Sequence, residues 1–149
     1  MHNLFTLRKW GVWISLELEL SIRYYVLGMS IKSFTDLETW RVGHKFVLQI
    51  YKVTEKFPQK EIYALIDQMR RSATSITSNI AEGFSKPSAQ DKKKFYYIAL
   101  GSLTEIQNQL LIARDLGYLN KILFDELAIQ SVSISKLINS LIKSAPSHT

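Results

Sequence analysis

No cysteine occurs among the 149 residues, which excludes disulfides, thiolate metal sites and thiol nucleophiles together. A reducing, cytoplasmic setting is expected. Histidine is almost as scarce, with only His2, His44 and His148. A di-metal carboxylate site in a helical bundle needs Glu-x-x-His pairs on two helices, and no glutamate stands three positions before His44. With one histidine inside the body of the chain, a hydrolytic triad has a single candidate base, and His44 reads as a surface or packing residue. The six glycines are scattered, and none falls in the GxxxxGK pattern of a phosphate-cradling loop. No metal, cofactor, small-molecule substrate or catalytic activity is expected.

Long apolar runs are also missing. The uncharged stretch from Trp10 to Leu16 is far below the roughly 20 residues of a membrane helix, and Glu17 and Glu19 break any signal-peptide pattern. No membrane association is expected. Residues 1–28 alternate apolar and polar positions (Val12, Ile14, Leu16, Leu18, Leu20, Ile22), a period of two that nothing later in the chain repeats. A lone strand is marginal in water. Met29 stands just before the first helix-start pattern, so residues 1–28 are expected to be an N-terminal extension outside the native body, with translation beginning at Met29. A real β-arm or membrane-surface tag is the other reading.

What remains is ordinary globular composition, 46% hydrophobic and 21% charged, with 19 basic against 13 acidic residues and a net charge of +6. Setting aside Arg8, Lys9, Arg23, Glu17 and Glu19 leaves residues 29–149 at +5. A basic body favours an anionic partner without naming one.

Residues 29–149 read as an all-α, antiparallel up-down-up-down four-helix bundle. The first helix carries Leu37, Trp40, Val47, Ile50, Tyr51 and Thr54 at helical spacing, with Asp36 placed to cap it and Phe57-Pro58 to end it. The second is expected from Pro58 to Glu82, with Leu65, Met69, Ala73, Ile76 and Ile80 as its stripe and Gly83 as a left-handed terminator. The third starts from a Ser88/Asp91 capping pattern and closes at Gly117, and Asn120 caps the fourth. Loops this short force antiparallel neighbours.

Two clusters are candidates for function. In RRSATSITSNIAEG (70–83) small and polar side chains crowd a helix interior, where they are mediocre helix formers. Arg70 or Arg71, Ser75, Asn79 and Glu82, with Ser102 and Glu105, could form an internal polar network. The same arginines could instead contact nucleic acid, or the segment could be a subunit interface. Lys86, Lys92, Lys93 and Lys94 lie beside Phe95, Tyr96 and Tyr97. Basic charge among aromatics can hold nucleic acid by phosphate contact and stacking, although a solvated helix start reads the same way.

The segments FTDLETW (34–40), IYKVTEKFP (50–58), QMRRSATSITSNIAEGF (68–84), IALGSLTEIQNQL (98–110) and LGYL (116–119) together resemble the bacterial four-helix-bundle family of 23S rRNA intervening-sequence proteins. The resemblance implies a small cytoplasmic protein that tends to form a homopentamer. A related fold serves as the nucleic-acid-binding accessory protein of diversity-generating retroelements, which is a likeness of fold only. The family usually carries a further acidic residue after Glu105, where this chain has Ile106 and Gln107. The expected function is that of a non-catalytic basic homo-oligomer binding RNA or DNA through phosphates, with a protein-interaction scaffold as the alternative. More large aromatics (Trp40, Phe46, Tyr51, Tyr63, Phe95, Tyr96, Tyr97) are present than a slender bundle readily hides, which also points to an oligomer.

Overall fold

The computed structural model describes residues 31–145; the expectations for residues 1–28 and for a start at Met29 lie outside them. The described residues are all-α, with four helices: α1 (Glu38–Thr54), α2 (Leu65–Ser85), α3 (Ala89–Asp115) and α4 (Lys121–Ser144). Their contacts run in opposite directions along the chain. Gly43 lies against Thr77 while Thr54 meets Arg70, Ser72 meets Gln109 while Gly83 meets Tyr96, and Gln107 meets Ser131 while Arg114 meets Phe124. Sequential helices are therefore antiparallel, and α1 closes the bundle against α4.

Each helix buries most of the stripe its period prescribes, but in α1 the expected Tyr51 is exposed and Trp40 half-buried, while Phe46, outside the expected stripe, is fully buried. Phe46 and Ile50 from α1, Met69, Ile76 and Ile80 from α2, Leu103, Ile106 and Leu110 from α3, and Ile134 and Ile138 from α4 meet in one core. Of the seven large aromatics, Phe46 and Tyr96 are buried and Trp40 and Phe95 half-buried, whereas Tyr51, Tyr97 and above all Tyr63, 94% accessible, face outward.

The capping expectations hold in the second half of the bundle. Ser88 Oγ accepts from the Asp91 N–H at 3.1 Å, Gly117 adopts φ +76°, and Asn120 Oδ1 accepts from the Leu123 N–H at 2.9 Å. Three expectations in the first half need correction. Asp36 does not cap α1. It completes a capping box with Ser33 around a 3₁₀ turn, Phe34–Asp36, and α1 starts one residue after Leu37, which is anchored by burial instead. The second helix does not begin at Pro58, whose ψ of 137° is extended; a 3₁₀ turn at Gln59–Glu61 intervenes and α2 starts at Leu65. Glu61 is held in that turn by the Tyr118 hydroxyl, which donates to its carboxylate at 3.0 Å.

Nor is Gly83 a terminator. The helix runs through it to Ser85, and a Cβ at Gly83 would stand 2.6 Å from the Tyr96 ring. Close approach of α3, not a left-handed backbone, requires the glycine.

Candidate nucleic-acid interface

The α2–α3 seam brings together most of the polar residues of the 70–83 segment. Ser75 and Ser102 share a hydrogen bond of 2.8 Å across the helices, and the Asn79 amide donates to the Ser75 carbonyl at 2.7 Å and to its hydroxyl at 3.0 Å. Glu105 stands in a second group, where Gln109 Nε2 donates to Ser72 Oγ at 3.4 Å and to Glu105 at 3.5 Å. Ser72, Gln109 and the Gln107–Ser131 pair at 3.1 Å were not singled out from the sequence. Ser72 sits within the apolar stripe between Met69 and Ile76, and that placement was the available signal.

Glu82 does not join this network. Its carboxylate pairs with Lys86 at 3.4 Å, half-exposed, and neither Arg70 nor Arg71 reaches it. Eleven or twelve residues of helix separate them, roughly 17 Å along the axis. Arg70 instead ties α1 to α2: its Nε donates to Thr54 Oγ1 at 2.9 Å and its guanidinium lies 4.8 Å from the centre of the Tyr51 ring. Arg71 projects into solvent, 78% accessible, with Asp67 at 3.8 Å.

The lysine cluster is largely engaged. Lys92 Nζ donates to the Phe84 carbonyl at 2.6 Å, satisfying one of the orphan carbonyls at the end of α2. Lys86 lies 4.7 Å over the Phe95 ring besides meeting Glu82. Lys94 pairs with Asp91 at 3.3 Å. The Ser88 hydroxyl bond, with Lys94 second, holds the Asp91 carboxyl below its ordinary value. Of the four lysines, Lys93 is the one with neither an ion pair nor a hydrogen bond among the described residues.

A basic stretch that the sequence reading passed over lies on α1 and just beyond it. Lys45, Lys52, Lys56 and Lys60 are all exposed and have no carboxylate in ion-pair reach among the described residues. The spacing of Lys45, Lys52 and Lys56, by seven and then four, was the signal for a shared face. Lys52 and Lys56 also line a groove of about 220 Å³ between the end of α1 and the start of α4, whose floor is Val53, Leu119, Leu123 and Leu127. Burial, followed by the bond to Glu61, raises the Tyr118 hydroxyl above its ordinary value at the edge of this groove.

Among the described residues no three His, Asp or Glu side chains are placed to hold a metal ion, and no helix is long and apolar enough to cross a membrane. His44 stacks on Trp40, with ring centroids 4.8 Å apart.

The family profile described as 23S rRNA-intervening sequence protein matches residues 35–140, which is almost the whole bundle. The chain belongs to that family. A crystal structure from Bacteroides thetaiotaomicron, described as a protein with unknown function from the S23 ribosomal protein family, superposes with a TM-score of 0.66 at 24% identity. The alignment covers 71% of this chain and 96% of that one. At that identity the likeness speaks for the fold alone. No curated protein matches the chain. Family membership thus agrees with the four-helix fold of this chain and leaves its biochemical activity to be argued from the surface.

Proposed function

We propose that the protein is a non-catalytic basic homo-oligomer, a pentamer as the family resemblance implies, that holds RNA or DNA through phosphate contacts. The observation that carries this reading is the imbalance of uncompensated surface charge. Among the described residues Lys45, Lys52, Lys56, Lys60, Lys93, Lys136 and Lys143 have no carboxylate in reach, against Glu55, Glu61, Glu105 and Glu126 with no cation. Lysines not already neutralised by the protein are the ones that can displace counterions from a phosphate backbone. Assembly multiplies the charge, since five bodies at +5 would carry roughly +25. The outward face of α3 supports self-association: Tyr97, Ile98, Leu111 and Ile112 are exposed there, with Glu105 the one charge between Ile98 and Ile112.

Electrophoretic co-migration with RNA at several salt concentrations, together with light scattering, tests the proposal. An oligomer whose RNA affinity falls steeply with salt is the expected result. The engagement of Lys86, Lys92 and Lys94 within the fold favours a second reading, a protein-interaction scaffold. That reading takes over if no RNA or DNA binds at about 50 mM salt.

A further inference from the structure

We infer that the groove between the end of α1 and the start of α4 is the seat of a single-stranded nucleic-acid segment, with a base on its apolar floor and the adjoining phosphates on Lys52 and Lys56. The inference rests on the nucleic-acid reading above and gives it a place and a base preference. α1 ends at Thr54 while α4 begins only at Lys121, and their facing ends leave a groove of about 220 Å³ that the core does not fill. Val53, Leu123 and Leu127 present an apolar surface there, and Lys52 and Lys56, one turn apart, stand along it without carboxylate partners. A nucleotide combines these requirements, with flat apolar faces on the base and a negative phosphate at each end.

Glu126 decides between occupants. Its carboxylate also lines the groove and has no cation partner. A carboxylate is acceptor-only. It repels any anion placed directly on it, the carboxylates of an acidic peptide included, so the group that fits beside it is a neutral donor such as the exocyclic amino group of cytosine, which uracil lacks. The groove is therefore expected to prefer cytosine over uracil.

The test measures fluorescence anisotropy of labelled ten-nucleotide oligo(C) and oligo(U) RNA with the full chain, over about 50 to 300 mM salt. For the parent, oligo(C) should bind about fivefold tighter than oligo(U), the low end of a single base-edge contact. The K52Q/K56Q variant should lose about 1.4 units from the slope of log affinity against log salt for each groove engaged, at about 0.7 per phosphate contact on a single strand. E126Q should bring the oligo(C) to oligo(U) ratio close to one while leaving the salt slope unreduced. All three side chains are exposed, so the melting temperatures should match the parent's. If the parent binds RNA and K52Q/K56Q keeps its slope, the groove assignment is overturned and phosphate binding elsewhere on the surface stands. A parent with no base preference removes the seat for the base. If polyglutamate competes as well as oligo(C) in the parent, an acidic peptide is the occupant instead. Failure of the parent to bind either RNA overturns the groove, and failure to bind DNA as well overturns the nucleic-acid reading.

Discussion

The α2–α3 seam and the α1–α4 seam are built from opposite materials. Between α2 and α3 the side chains are small, with Gly83, Ser72, Ser75 and Ser102 at the crossing, and the helices make the most extensive contact in the bundle. Most of their hydroxyls and amides answer one another inside the fold, with the buried Gln109 Oε1 the exception. Between α1 and α4 the residues are long, the contact is smaller, and an open groove with two uncompensated lysines remains. The segment that looks unusual as sequence is thus occupied with holding two helices together, while the less conspicuous lysines of α1 keep their charge for something outside.

Gly83→Ala tests the tight seam most severely. The new Cβ would lie 2.6 and 2.9 Å from the Tyr96 ring and 3.1 Å from Phe95 Cβ, and Tyr96 is buried, so its ring has little room to yield. Overpacking of this kind costs about 1 to 3 kcal/mol, against which alanine recovers up to about 1 kcal/mol of helix propensity. A net loss near 1 to 2 kcal/mol is expected in a urea melt. A gain in stability would show that the seam can open and that close approach is not what demands the glycine.

Ser88→Ala removes the cap of α3 and should cost about 1 kcal/mol at neutral pH. It also carries a pH signature. The Ser88 hydroxyl is the main cause of the lowered Asp91 value, so in the parent this carboxylate contributes stability above its ordinary value of 3.8 and loses it as pH falls through the lowered folded value. Melts from pH 5 down to 2 should show a shallower acid decline for the variant. An identical decline would mean that Asp91 owes its ionisation to something other than the cap.

Gly101→Ala is the counterpart of Gly83→Ala on the same pair of helices. Apart from its chain neighbours and the helix's own backbone, no atom lies within 4 Å of the added Cβ, so the helix should gain about 0.5 to 1 kcal/mol. If both glycine variants lose stability equally, the distinction between a packed position on α2 and an open one on α3 collapses.

Glu82→Ala should have the smallest effect, within about 0.5 kcal/mol. Its pair with Lys86 is solvent-accessible on both sides, and such pairs contribute about 0 to 1 kcal/mol. A buried pair broken on one side would instead cost about 3 to 5 kcal/mol. A thermal-melt midpoint lowered by the roughly 10 °C or more that such a cost implies would restore Glu82 to the network.

Much of the candidate site was therefore legible as composition but not as geometry. The small polar residues at 70–83 were open to an internal network, a nucleic-acid contact or a subunit interface, and Ser75, Asn79 and Ser102 meet within the fold. Arg70 and Lys92 were visible as charges, yet their partners, Thr54 with Tyr51 and the Phe84 carbonyl, come from the facing helix or from the preceding helix's end. A sequence shows that an arginine is present but not which hydroxyl it will find sixteen residues away.

The sequence by itself determined the number of helices, most of their buried positions and the punctuation at Ser88, Gly117 and Asn120. Each of these depends on residues within about four positions of one another, where spacing and backbone preference suffice. The tertiary structure alone decided that Gly83 is a contact rather than an end, that Pro58 opens a turn rather than a helix, and that Lys92 caps while Lys52 and Lys56 stay free. Those outcomes depend on which surface of a second helix arrives opposite. Packing sets that surface through the burial of side chains distant in the chain, and no local pattern encodes it.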